Sequence, residues 1–433
     1  WWVKLWALWI SNPAIFQWNE SGTDRGASGG YAQISFDSDN KITVFNYESG
    51  PYNLNLKSTA VYNNPSVWYH LVVAIDTTIS SPSSDRAKMY INGVQITDFT
   101  TSIYPDYNDE LFVNMSQLHV IWNRDNAYFD GYLSDVHFVD GQALDPTSFG
   151  EDDAGTWKAI EYAWTYGTNG FYLDFENSWD LGNDSASWGT NDWTATNLAL
   201  TDQVIDSPTN NFATLDPTDA RTWLIIGEGN LYTKWVPWSS GVGENWIRST
   251  MWISSGKYYF EVLTKNTYAN YTGFALYSQS ADIESISSTR PFYQPAYNEW
   301  IIWSQNHESI YFNNTTLATW TSGYTTSDQI FAMAVDLDNF EFWWMREWVR
   351  FPGHPDSVSG YDISGVSSFL PLTPSFGPDV WTNSWEYFPN FGADSSFAWN
   401  KTTWSANASD SNGIGDFYYT LPAWFLALSS ENM

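Results

Sequence analysis

Helical periodicity is scarce along this chain. What recurs instead are runs of four to eight residues, rich in aromatic and β-branched types, set between clusters of Gly, Asn, Asp, Ser and Pro. Many of these runs alternate apolar with polar residues. A period of two places successive side chains on opposite faces of a strand, and short strands punctuated by turn residues specify an all-β sandwich. Phe171-Tyr172-Leu173-Asp174-Phe175 would send Phe171, Leu173 and Phe175 to one face. Met89 to Phe99 predicts a hairpin about Asn92-Gly93. A type I′ turn needs positive φ at both central residues, which Asn and Gly tolerate. Asp130-Gly131 and Asp140-Gly141 bracket a further strand, Tyr132 to Val139.

At 433 residues the chain exceeds what one core usually serves, since single cores stop growing near ~250–300 residues. Alternation lapses between roughly Thr201 and Ala220, a stretch of Asp, Asn, Thr and Pro, and then resumes. Tyr258, Phe260 and Val262 oppose Lys257, Tyr259 and Glu261. Phe331, Met333, Val335 and Leu337 share a face up to an Asp338-Asn339 turn. The expectation is two tandem antiparallel β-sandwiches, over residues 1–200 and 222–433, with a linker at 201–221.

Charge excludes several functions. The net charge is −32, from 49 acidic and 17 basic residues, so nucleic-acid phosphates and anionic membrane surfaces would be repelled. No stretch approaches the ~18–20 consecutive apolar residues that span a bilayer. There are no cysteines, hence no disulfide, thiol nucleophile or thiolate metal site. The chain opens in mid-pattern with Trp1-Trp2-Val3-Lys4, which suggests an N-terminally truncated chain.

Three ordered strings in the first half are specific: Trp68-Tyr69-His70 leading into Leu71–Ile75, Met89-Tyr90-Ile91-Asn92-Gly93-Val94, and Phe129-Asp130-Gly131-Tyr132-Leu133-Ser134-Asp135-Val136 with Ala143-Leu144 after it. They resemble laminin-G/pentraxin-like domains of the concanavalin-A-type jelly roll, over most of residues 1 to ~180. In the second half, Gly256–Val262, Thr272-Gly273-Phe274-Ala275, Ala334-Val335-Asp336-Leu337-Asp338 and Phe388-Pro389-Asn390-Phe391-Gly392 resemble SPRY domains. Phe138–Pro146, Asn169–Phe175, Asp206–Asn210 and Gly415–Thr420 resemble virion-surface and tail-fibre proteins of marine tailed phages. That resemblance implies a non-catalytic protein on the virion surface, outside the cell. Its partners would be a host-surface glycan or protein and other tail proteins. Fibre proteins are often trimers, so the resemblance is compatible with a homo-oligomer, a state that the residues themselves leave open.

The same jelly-roll class includes glycosidases, whose retaining members hold two carboxylates about 5–5.5 Å apart. The nearest string, Asp336-Leu337-Asp338-Asn339-Phe340-Glu341, coincides with the SPRY-like signature strand and its turn, and Asp174 with Glu176 reads as a strand ending in a polar turn. His70, His119, His137, His307 and His354 are scattered without a ligand spacing, so we expect neither zinc nor a catalytic residue. Laminin-G-like domains often bind calcium at a sandwich rim, and three loops are oxygen-rich: Asp37–Asn40, Asp106–Glu110 and Glu151–Asp153. Solvated acidic loops are the plainer reading, and no individual ligand follows from it.

The 28 tryptophans would suit sugar stacking if exposed, or simply fill the core. A third reading fits their context: Trp122, Trp164, Trp179, Trp188, Trp399, Trp404 and Trp424 sit in polar turn sequences that favour glycine. A source reading UGA as glycine, translated with UGA as tryptophan, would produce this pattern.

Overall fold

The computed structural model describes residues 1–6, 14–19, 30–48, 50–121, 123–124, 127–186, 189–220, 224–235, 246–265, 272–280, 300–304, 309–312, 315–319, 328–347, 349–378, 386–402 and 408–433. They form two compact units, Trp1–Gln203 and Val204–Met433, each an all-β body of antiparallel sheets.

In the first unit a five-stranded sheet runs Gly131–Ser134, Trp2–Leu5, Tyr69–Ile75, Ala87–Ile91, Val94–Gln95. A six-stranded sheet runs Leu118–Ile121, Ala14–Asn19, Tyr31–Phe36, Ile42–Tyr47, Tyr52–Ser58, Phe99–Ile103. Alternation decides what each contributes to the core. Val3, Leu71 and Met89 from one sheet cluster with Phe36, Val44 and Leu56 from the other. The Asn92-Gly93 hairpin forms as expected, with φ of +46° and +80° and Ile91 paired with Val94. The strand expected from Tyr132 to Val139 is two strands, Gly131–Ser134 and Val136–Phe138. Asp135 between them has φ +48°, which breaks the ladder and hands the second piece to Phe171–Leu173.

The second unit pairs Leu224–Gly227, Tyr232–Trp235, Glu386–Asn390, Lys257–Lys265, Gln329–Asp336, Glu341–Arg346 and Val349–Phe351 in one sheet, with Tyr361–Asp362 beside Glu341–Arg346. Facing it are Ile247–Arg248, Leu372–Pro378, Thr272–Ser278, Trp300–Ser304, Ser309–Phe312 and Thr315–Thr319. Phe274 meets Phe331 and Trp344 across the gap, both at 5.6 Å between ring centroids. The two expected sandwiches are therefore present as separate units.

The stretch expected to link them behaves differently from a linker. Phe212, Ala213 and Leu215 are buried in the second core, Phe212 bridges to Ser429, and Leu215 bridges to Ser249. Only its first three residues, 201–203, lie before the boundary between the units.

Candidate functional site

A cavity of about 680 Å³ opens between the sheets of the first unit, within the usual ~300–1,000 Å³ for ligand pockets. Leu71, Val73 and Ile75 wall one side, and Phe16, Trp18 and Ile34 wall the other. Alternation places both sets: every second residue of strands Tyr69–Ile75 and Ala14–Asn19 faces inward. A second cavity of about 350 Å³ shares Phe16, Asn114, Met115 and Phe138 with the first, so the two form one cleft.

Its floor is continuously aromatic. Phe16 lies 4.9 Å from Trp18, 6.1 Å from Phe138 and 6.2 Å from Trp193 between ring centroids. Phe138 stacks on Phe171 at 5.5 Å, and Phe171 meets Trp193 edge-on at 4.9 Å. Trp18 is buried, and its indole N–H donates to no group among the described residues.

The rim is polar. Asp140 joins three of its loops: Oδ1 accepts from Asn114 Nδ2 at 2.6 Å, Oδ2 accepts from the Asn169 N–H at 3.1 Å, and its own N–H donates to the Tyr166 carbonyl at 2.7 Å. Asn191 Nδ2 donates to the carbonyls of Thr168 and Gly170, which fixes the loop beyond. Asp109 accepts from Asn53 Nδ2 at 3.0 Å, and Asp76 accepts from the N–H and hydroxyl of Thr78. His137 on the cleft wall stacks on Tyr172 at 4.4 Å, with Nδ1 2.7 Å from the Tyr166 hydroxyl. Burial holds its imidazole well below the ordinary histidine range, so it is neutral.

Residues weighed from the sequence fall elsewhere. Asp336 is almost fully buried and accepts from the N–H groups of Asp338 and Asn339 and from Asn339 Nδ2, while Lys257 Nζ pairs with it at 2.7 Å. Asp338 accepts from the Gly256 N–H. These carboxylates staple a hairpin. Asp174 accepts from the Glu176 N–H, and Phe175 between them has φ +60°, so the strand stops short of Glu176. His70 is buried, accepts from Trp157 Nε1 through Nδ1 at 2.9 Å, and is pushed down to about 2 by burial. His307 lies outside the described residues.

Two of the three acidic loops are committed to turns and to neighbouring side chains, while the third, Asp106–Glu110, places Asp109 and Glu110 on the cavity. Asp37 accepts from the N–H groups of Asp39 and Lys41 and pairs with Lys57. Asp152 accepts from the Gly155 N–H, and Asp153 pairs with Lys158. Among the described residues no group of three or more His, Asp or Glu is placed to hold a metal ion. No helix is long and apolar enough to cross a membrane among them either.

Tryptophan divides sharply. Trp18, Trp246 and Trp344 are fully buried, whereas Trp164, Trp179, Trp399 and Trp424 are 76%, 92%, 54% and 75% exposed. Trp399 and Trp424 also have left-handed backbones, φ +62° and +70°. Trp122, Trp188 and Trp404 lie outside the described residues.

Residues 1–148 match the model of the concanavalin A-like lectin/glucanases superfamily, in its laminin-G form. This match lies within the first unit, and the superfamily that it names holds both lectins and glucanases. Among solved structures the chain is similar to the SPRY domain of human HERC1, at 12% identity and TM-score 0.30, covering 40% of this chain and 96% of that one. It is also similar to the PSpry domain of TRIM65, at 11% identity and TM-score 0.31, covering 41% and 88%. No curated protein matches the chain.

Proposed function

We propose that the chain is a recognition protein of the virion-surface, tail-fibre type, which binds a host-surface glycan in the cleft of its first unit without turning it over. The observation that carries this reading is the cleft itself, an aromatic floor from Trp18 to Trp193 under a rim of carboxamides and carboxylates. Sugar rings bury their C–H faces on aromatic side chains while their hydroxyls need polar partners, and the cleft offers both. Weak single-site binding would suffice, because display on a fibre multiplies it.

The test is calorimetric titration of the full chain with glycans selected on an array. Asn114→Ala removes an exposed rim amide and should weaken binding about fivefold, the usual worth of one hydrogen bond near 1 kcal/mol. Release of reducing ends would make the protein a glycosidase instead. Retention on purified virions with no glycan bound would make it a structural decoration.

A further inference from the structure

We infer that the cleft selects a sugar bearing a positively charged amine and rejects carboxylated or sulfated glycans; this inference rests on the glycan reading above. Asp76, Asp109, Glu110 and Asp140 all line the larger cavity, and among the described residues no lysine or arginine does. Thr78, Asn53, Asn114 and the Asn169 backbone donate to Asp76, Asp109 and Asp140. Every one of those donors is neutral, so the carboxylates are oriented without being neutralised. His137, the titratable base on the wall, is neutral as well.

Beneath this rim lie ring faces, and an ammonium held over aromatic faces and beside carboxylates is favoured by both. The N–H of Trp18, buried and without an acceptor among the described residues, supplies the directional element that a cation alone would not need. A sugar hydroxyl or ring oxygen would satisfy it, and a buried donor left unsatisfied is costly. An amine-bearing sugar meets the carboxylates, the rings and the lone donor together. An anionic sugar meets the rings but is opposed by the rim and by the net charge of −32.

The experiment titrates the full chain with three probes: a glucosamine oligosaccharide, its fully N-acetylated counterpart, and an oligogalacturonate. The amine form should bind about tenfold more tightly than the acetylated form near ~20 mM salt and lose most of that advantage near ~500 mM, where screening is short-ranged. The oligogalacturonate should not bind. Glu110→Gln, which removes one rim charge and keeps the shape, should cut the preference for the amine about threefold. Glu151→Gln, on an exposed strand outside the cleft, should leave it unchanged.

Equal or tighter binding of the acetylated or the anionic form would overturn the inference and leave the glycan reading standing. Failure of all three to bind would overturn both. An equal loss in the Glu110 and Glu151 variants would assign the preference to overall charge and overturn the cleft as its source.

Discussion

Replacing Trp424 separates what its side chain does from what its backbone requires. Its φ of +70° is left-handed, where an L side chain costs ~1–2 kcal/mol because Cβ crowds the following carbonyl. The backbone is held there by two bonds: the Trp424 N–H donates to Ser411 Oγ at 3.0 Å, and the Ala423 N–H to Asp356 Oδ1 at 2.8 Å. The indole is 75% exposed, so truncation forfeits little burial, and the same little whether the new residue is Ala or Gly. Glycine escapes the left-handed penalty but loses ~0.5–1 kcal/mol more chain entropy on folding. The balance is about 1 kcal/mol in favour of Trp424→Gly over Trp424→Ala, or about 2–4 °C in Tm for a unit of this size. Scanning calorimetry of the full chain reads it. The same order should hold at Trp399, with φ +62°. It should reverse at Trp179, which is 92% exposed and does not have a left-handed backbone. An alanine variant at Trp424 as stable as the glycine one would refute the reasoning. Mass spectrometry of the natural protein then tests the origin directly, since glycine masses at positions 399 and 424 would identify recoded codons.

Two further predictions concern the frame. Glu261 is fully buried among donors only: the N–H groups of Tyr418 and Tyr419, the Tyr259 hydroxyl, and Asn390 Nδ2. Burial outweighs those donors and pushes its carboxyl from 4.5 up to about 7. A raised carboxyl favours folding fully below its unfolded value, so stability should fall by roughly 3 kcal/mol as pH rises from about 4.5 through about 7. Denaturant titrations across that range should show the fall; a second unit equally stable at both ends would remove the basis for it. At the Asn92-Gly93 turn, a Cβ on Gly93 would meet the Trp157 ring at 2.6 Å, and its φ is +80°. Gly93→Ala should cost about 2 kcal/mol or more by clash and strain together, read as a lowered denaturation midpoint of the first unit.

What the sequence disclosed follows the range of the interactions involved. The Asn92-Gly93 hairpin and the Asp336 turn were readable because their determinants lie within a few residues: positive φ tolerance in one, a carboxylate facing the N–H groups two and three residues on in the other. The strand break at Asp135 was not readable, because alternation passes through it unchanged and only the change of sheet partner requires φ +48°. Phe212 and Leu215 sit among Asp, Asn, Thr and Pro and resemble linker residues; what buries them is pairing with Ser249 and Ser429, supplied by distant chain. The cleft is the extreme case. Phe16, Trp18, Phe138, Phe171 and Trp193 each read as an ordinary inward-facing or loop aromatic, and they become a floor only once sheet order brings them together. One signal did point there. Phe138–Pro146 and Asn169–Phe175, strings that carry both turn or strand signals and a family resemblance, supply Phe138, Asp140, Asn169 and Phe171 to the cleft. Tryptophan count was the poorer guide, because the most exposed among the described residues, Trp164, Trp179 and Trp424, lie outside the cleft that Trp18 and Trp193 help to build.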